Sequence, residues 1–226
     1  EYHQVKYSDD ILEFIIRISK MIAKKNPDKA IDILDEAGLI TNLNHERIVS
    51  ETTIINLVFE TIGINRLQAI ETLHNTNEYP AIKQDLFDYL HLKNNKIIAI
   101  INTNDKGRVL NWLKTIFTIK NDAILEIDLH DFLDNAFVTN LIGAPSGYVG
   151  YENGGILTEH LIANPFSIII LKHLDSANII VKGIITRAME TGWITDNKRR
   201  TIYLNNTIFI LENNQQVKEI GFIQNK

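Results

Sequence analysis

The chain contains no cysteine, which excludes disulfides and thiolate metal sites and suits a reducing compartment. No apolar run is long enough to cross a bilayer and no signal-peptide pattern opens the sequence, so a membrane partner is not expected. Basic clusters are missing apart from "DNKRR" at 196–200, and 23 basic against 28 acidic residues leave a net charge of −5. That balance speaks against a nucleic-acid partner. Methionine is missing from position 1, as expected for a piece of something longer. Glycine is sparse, and five of its eleven occurrences crowd into "GAPSGYVGYENGG" at 143–155.

A glycine run before a helix invites comparison with phosphate-binding loops, which need backbone N–H groups free to approach oxygens and usually a Lys and a hydroxyl at the helix start. Tyr148, Val149 and Tyr151 stand at this loop's tip instead, with no cation near. The pattern is that of a flexible loop presenting aromatics, not of a phosphate cradle.

What is present fits a globular chain of one or two domains: 45% of residues are hydrophobic and 23% charged. Residues 8 to about 25 place Ile11, Ile15, Ile18 and Ile22 at helical spacing behind a Ser8 N-cap. A second helix is marked by Asn26 as N-cap, Pro27 at the first helical position and Gly38 at its close. These two predict a small helical unit ending near residue 45, linked through 46–95 to a different pattern. From 96 onward, Ile-rich runs at 96–101, 123–128, 167–171 and 207–211 alternate with helical segments. Nearly continuous apolar strands read as buried on both faces, hence an α/β domain with a parallel sheet flanked by helices. Ligand chemistry in such sheets lies beyond the strands' carboxyl ends, after Ile101, Asp128, Leu171 and Leu211.

The segments "LIGAPSGYVGYENGGILTE", "NPFSIIIL", "LDSA", "TGWITDNKRRTIYLNNTIFI" and "IGF" resemble the second ATPase domain of Clp-type AAA+ unfoldases of the ClpC/ClpA kind. "YSDDILEFIIRIS" with "NPDKAIDILDEAG" is similar to the small helical subdomain that closes the first ATPase domain. The resemblance implies a helical small subdomain at 1–45, a link and the start of the second ATPase domain at 46–95, and an AAA+ large subdomain at 96–226. It implies a hexameric ring of Clp subunits, with Gly147, Tyr148, Val149 and Gly150 as a pore loop whose Tyr148 grips an unfolded protein substrate. A tyrosine suits that task because it offers a large contact area at low rotamer cost. The family's lid, sensor-2 and arginine-finger residues are expected beyond residue 226. Together with an excess of Ile, Asn and Lys that looks like AT-rich coding, the resemblance also suggests a plastid protein, of an apicoplast stroma.

The nucleotide positions depart from the family pattern. The cofactor implied is ATP with Mg²⁺, held by a glycine-rich Walker A loop ending in Lys and Thr. A gapless register puts "IINTNDKG" (100–107) there: Lys106 survives, Ile100, Thr103 and Asp105 replace glycines, and Gly107 replaces the Mg²⁺-binding hydroxyl. The paired Walker B acids are replaced by Lys172 and His173, which read as solvated strand-end residues of an inactive site, or with Lys172 as a phosphate clamp. Losing a positioned base costs about 10²–10⁴-fold in rate, so no catalytic residue, no metal site and weak or no nucleotide binding are expected. "AIKQD" (81–85) resembles an adenine-contacting box through Ile82, Gln84 and Asp85, with Lys83 in place of a glycine. Asn214 falls on the sensor-1 position. Ile220, Gly221 and Phe222 match the tripeptide with which Clp unfoldases dock a ClpP-type protease. Two alternatives stay open: a working ATPase with unorthodox metal ligands such as Asp128 or Asp175, and a ring scaffold that touches neither nucleotide nor substrate.

Overall fold

The computed structural model describes residues 3–19, 22, 28–93, 97–132 and 138–212. It divides into two compact units, 1–69 and 70–226.

The first unit is helical. Helix α1 (Asp9–Ile18) opens as the sequence predicts: the Ser8 side chain accepts from the Ile11 N–H, and Asp9 and Asp10 sit in the first turn, where the helix dipole favours negative charge. It stops at Ile18 rather than near 25, and the Ser19 hydroxyl turns back to donate to the Ile16 carbonyl, a local bond that competes with helix continuation. Ile11, Ile15, Ile18 and Ile22 are nevertheless all buried. Helix α2 (Asp28–Leu43) corrects a second expectation, because it runs straight past Gly38. A Cβ on Gly38 would strike the Tyr7 hydroxyl and the His3 ring, so this glycine is a notch for close packing and not a helix stop. Asn26 and Pro27, the expected start signals, lie outside the described residues. Helix α3 (Glu51–Thr61), capped by Ser50, buries Ile54, Leu57, Val58 and Phe59. Those side chains belong to the unit's core, which is why it extends to Ala69 and not to 45.

Helix α4 (Arg66–Asn75) crosses the division, and α5 (Pro80–Leu90) follows. The second unit is built on four strands: β1 (Ile97–Thr103), β2 (Ile124–Asp128), β3 (Ser167–Lys172) and, after a short hairpin, β6 (Asn206–Glu212). All four predicted runs are strands. They pair in parallel in the order β1-β6-β3-β2. Helices α6 (Lys106–Phe117), α7 (Val138–Ile142), α8 (Ile156–Ala163) and α9 (Ile179–Thr191) complete the crossovers. The central strands are apolar in their middles, with Ile168, Ile169, Ile170, Leu171, Ile208, Phe209 and Ile210 all buried. This is the parallel α/β architecture expected from strands buried on both faces. A two-stranded antiparallel hairpin, β4 (Trp193–Thr195) and β5 (Thr201–Tyr203), interrupts the series; its short strands gave no periodic signal.

One buried polar contact ties helix to sheet. The Tyr89 hydroxyl of α5 donates to Asn206 Oδ1 at the start of β6, 2.9 Å away. Full burial pushes the Tyr89 phenol far above its ordinary pKa, so it stays a neutral donor.

Candidate functional site

Parallel pairing aligns the strands' carboxyl ends in one row. Thr103 lies opposite Glu212, Glu212 opposite Lys172, and Lys172 opposite Asp128. Every residue singled out on the sheet therefore meets at one edge, where ligand chemistry is expected in such folds.

The link from β1 to α6 is only Asn104 and Asp105. Positions 100–103, which the resemblance places in a phosphate loop, remain in strand, paired with Phe209, Ile210, Leu211 and Glu212. The Thr103 hydroxyl accepts from the Asp105 N–H at 3.0 Å, and the Asp105 carboxylate accepts from the Arg108 N–H at 3.0 Å. Asp105 is thus the N-cap of α6, and its negative charge stands at the helix end that would otherwise attract an anion.

Lys106, the first residue of α6, is engaged twice. Its Nζ lies 2.7 Å from Glu126 Oε1 and 3.2 Å from Glu212 Oε2. Partial burial alone would lower its pKa, but the carboxylate partners outweigh it and hold the ammonium above the ordinary lysine range. Lys172 donates to the same Glu126 oxygen, and hydrogen bonds from Lys106 and Lys172 depress the Glu126 carboxyl below its usual pKa. Two lysines and two glutamates thus cancel one another across the sheet edge. His173 Nδ1 sits 2.8 Å from Asp128 Oδ1. Its backbone is left-handed, φ 57°, and its ring stacks on His130 with centroids 4.3 Å apart. The Asp128 carboxyl is held below the usual range first by the His173 hydrogen bond. Lys172 and His173 are therefore paired, half-buried residues rather than the solvated strand ends expected from sequence.

The other predicted nucleotide residues are placed as follows. Ile82 is buried within α5, Gln84 is exposed and donates to Asp88, and Asp85 is half-buried, its carboxyl raised by burial and then by Asp88. Lys83 reaches back to the Thr76 carbonyl at 2.5 Å. Asp175 is exposed and pairs with Lys182 at 3.7 Å. Asn214, Ile220, Gly221 and Phe222 lie outside the described residues.

The glycine-rich loop divides into a packed base and an open tip. At the base, a Cβ on Gly155 would collide with the Leu141, Ile142 and Gly143 backbone. At the tip, Gly147 and Gly150 have positive φ (89° and 90°) and nothing within 4 Å of an added Cβ. Tyr148 is 70% exposed and Val149 wholly so. The hairpin turn braces the base: Asn197 donates to the Gly143 carbonyl, Lys198 Nζ to the Glu152 carbonyl at 2.9 Å, and Arg200 to Glu159 on α8. Arg200 is itself anchored by the buried Asp196, Nε to Oδ2 2.6 Å. The "DNKRR" cluster, legible in sequence only as positive charge, is thus a clamp under the loop.

Comparison with known proteins agrees with this architecture. The family described as "AAA domain (Cdc48 subfamily)" matches residues 87–225, and "AAA lid domain" matches 1–84. Over 93 residues the chain is 41% identical to a probable chaperone protein ClpB 1 of Chlorobaculum tepidum, covering 41% of this chain and 21% of that protein. Over 101 residues it is 35% identical to the ATP-dependent Clp protease ATP-binding subunit ClpC of Staphylococcus epidermidis, covering 45% of this chain and 12% of that one. The chain therefore matches only a minor part of the length of these relatives. Among solved structures, Hsp104 with ATPyS and FITC casein in a closed state superposes with TM-score 0.77 at 19% identity, over 93% of this chain and 41% of that one.

The packed base makes a prediction about glycine. Gly155→Ala should cost on the order of 1–3 kcal/mol, because backbone atoms rather than a flexible side chain must move. Gly183→Ala, at an open position within α9, should stabilise by about 0.4–1 kcal/mol. Urea unfolding of the two variants measures both; equal midpoints would refute the packed base.

Proposed function

Since the chain belongs to the AAA family, through its Cdc48-subfamily domain, we propose that it is part of a Clp-type chaperone subunit whose second domain grips protein substrate without hydrolysing ATP. The observation that carries the proposal is the sheet edge. The strand continues through the place of a phosphate loop, and the one remaining Walker A lysine is committed to Glu126 and Glu212. To reach a phosphate, Lys106 would have to abandon both carboxylates, and the anion would meet Asp105 at the helix start. ATP and Mg²⁺ are the family's ligands. Of the residues that would hold the metal, Gly107 has no hydroxyl and Lys172 carries a positive charge, so the residues present do not fit Mg²⁺.

Substrate gripping falls to Tyr148. Its exposure on a tip that two glycines leave free, above a base held by Asn197, Lys198 and Arg200, suits repeated contact with an unstructured chain. Six such loops in a ring of Clp subunits would act together. Docking to a ClpP-type protease is assigned to Ile220, Gly221 and Phe222 on the resemblance alone. Two apolar side chains entering pockets contribute on the order of 3–6 kcal/mol before ordering costs, so one loop binds weakly and several bind through avidity.

Three measurements test these assignments. Thermal unfolding of the chain with saturating ATP, with and without Mg²⁺, should show no shift, since a ligand at a hundred times its Kd adds about 2.7 kcal/mol; a Mg²⁺-dependent rise abolished by Lys106→Ala would restore the ATPase alternative. A photocrosslinker at position 148 should capture casein when the protein is assembled with a competent Clp ring; crosslinks only to neighbouring subunits would make the loop a packing surface. Phe222→Ala should weaken co-sedimentation of the full-length protein with a ClpP ring at least tenfold. Undiminished association would remove the docking role.

A further inference from the structure

We propose that Asp128, His130 and His173 form a binding site for a divalent transition-metal cation, Zn²⁺ in the first instance. The three residues come from two neighbouring strand ends. Asp128 closes β2, His130 follows in the turn Leu129–Phe132, and His173 follows β3. One ligand atom from each lies within 4.8 Å of the other two. A tetrahedral ion with nitrogen and oxygen ligands at 2.0–2.1 Å sets them roughly 3.4 Å apart. The His173 Nδ1–Asp128 Oδ1 pair is already at 2.8 Å, so replacing the shared proton by the ion asks for a small opening. His130 is exposed in a short turn and supplies the remaining adjustment by rotating its ring. A fourth position is left to water.

Two further features favour occupancy. The Asp128 carboxylate is oriented before any ion arrives, because the His130 N–H donates to Oδ1 at 3.0 Å. The nearest strand-end cation, Lys172, is held by Glu126, and Lys106 by Glu126 and Glu212, so its charge is offset where it would otherwise repel the ion. Ligand chemistry decides the metal. Two imidazoles with one carboxylate suit Zn²⁺, Co²⁺ or Ni²⁺, whereas Mg²⁺ demands an oxygen shell and keeps its waters. The sheet edge would thus hold a cation that is indifferent to nucleotide, clamping β2 to β3. The expectation of no metal site arose from the loss of the Walker B acids to Lys172 and His173; Asp128 and His173, 45 positions apart in the chain, come together only through the β2–β3 pairing. This inference stands independently of the proposed chaperone role, since it needs neither substrate nor ATP.

The test uses the 226-residue chain stripped with EDTA and dialysed. Calorimetric titration with ZnCl₂ should show one equivalent bound, and Co²⁺ should give the visible absorption of a low-coordinate nitrogen and oxygen site that Zn²⁺ bleaches. MgCl₂ should give no binding heat. His130→Ala, and His173→Asn with a side chain tolerant of the left-handed backbone, should each weaken Zn²⁺ by roughly tenfold or more, since even outer-shell losses cost 10–100-fold. His74→Gln should leave the affinity unchanged, and far-ultraviolet circular dichroism should confirm that each variant is folded. Asp128→Asn replaces any variant that is not. Absence of Zn²⁺ binding by the wild-type chain, or binding undiminished by the folded variants, overturns the site.

Discussion

The register of the parallel sheet is the constraint on which the rest of the second unit depends. Because the central strands β3 and β6 are buried on both faces, a slip of one residue would turn Lys172 or Glu212 into the apolar interior. Burying an isoleucine contributes about 1.5–3 kcal/mol, and an unpaired buried charge costs more than that. The register that satisfies the isoleucines is the one that aligns Thr103, Glu212, Lys172 and Asp128 at the edge. Everything polar at that edge then has to be resolved among neighbours.

It is resolved by pairing rather than by solvent. Lys172 stands between Glu212 and Asp128 in the row, yet its ammonium goes to Glu126, two residues back along β2 and on the same face as Asp128. That choice leaves the Asp128 carboxylate to the His173 imidazole and the His130 backbone N–H, and the edge separates into a cationic pair bound by two glutamates and an aspartate bound by one imidazole and one amide. The Lys106–Glu126 contact is partly exposed, so its contribution to stability is small. Its consequence is positional: it fixes where the Lys106 charge is spent.

The strands and the exposed glycine loop were legible in sequence because their signals are local. Four Ile-rich runs mark four strands, and Tyr148 between two glycines marks an open tip. The first helix's core face was likewise legible in Ile11, Ile15 and Ile18. What could not be read depends on distant partners. Gly38 looks like a helix stop until Tyr7 is seen to press on it. Glu126 within β2 and Glu212 at the end of β6 are ordinary strand acids until pairing sets them beside Lys106. The run at 196–200 is legible only as a basic cluster because nothing local reveals that Asp196 is buried and directs Arg200 toward Glu159. The fold class followed from periodicity; the site's chemistry followed from the register, which periodicity does not encode.

The two candidate functional regions draw on separate sets of contacts, and this bears on whether the loop depends on the chemistry of the sheet edge. The loop's base rests on Gly143 against Gly155, on Asn197 and Lys198 from the hairpin turn, and on the Asp196–Arg200–Glu159 chain. None of these residues belongs to the Lys106–Glu126–Lys172–Glu212 group or to the Asp128–His130–His173 group. Substitutions at the sheet edge would leave the loop's scaffold untouched, because distant sites with no shared partners act nearly additively. Pairing Lys106 and Lys172 with Glu126 and Glu212 then removes the cost of leaving cations unpartnered at the sheet edge. The exposed tyrosine and its scaffold thus stand apart from the sheet edge, where Lys106 and Lys172 find their partners in Glu126 and Glu212.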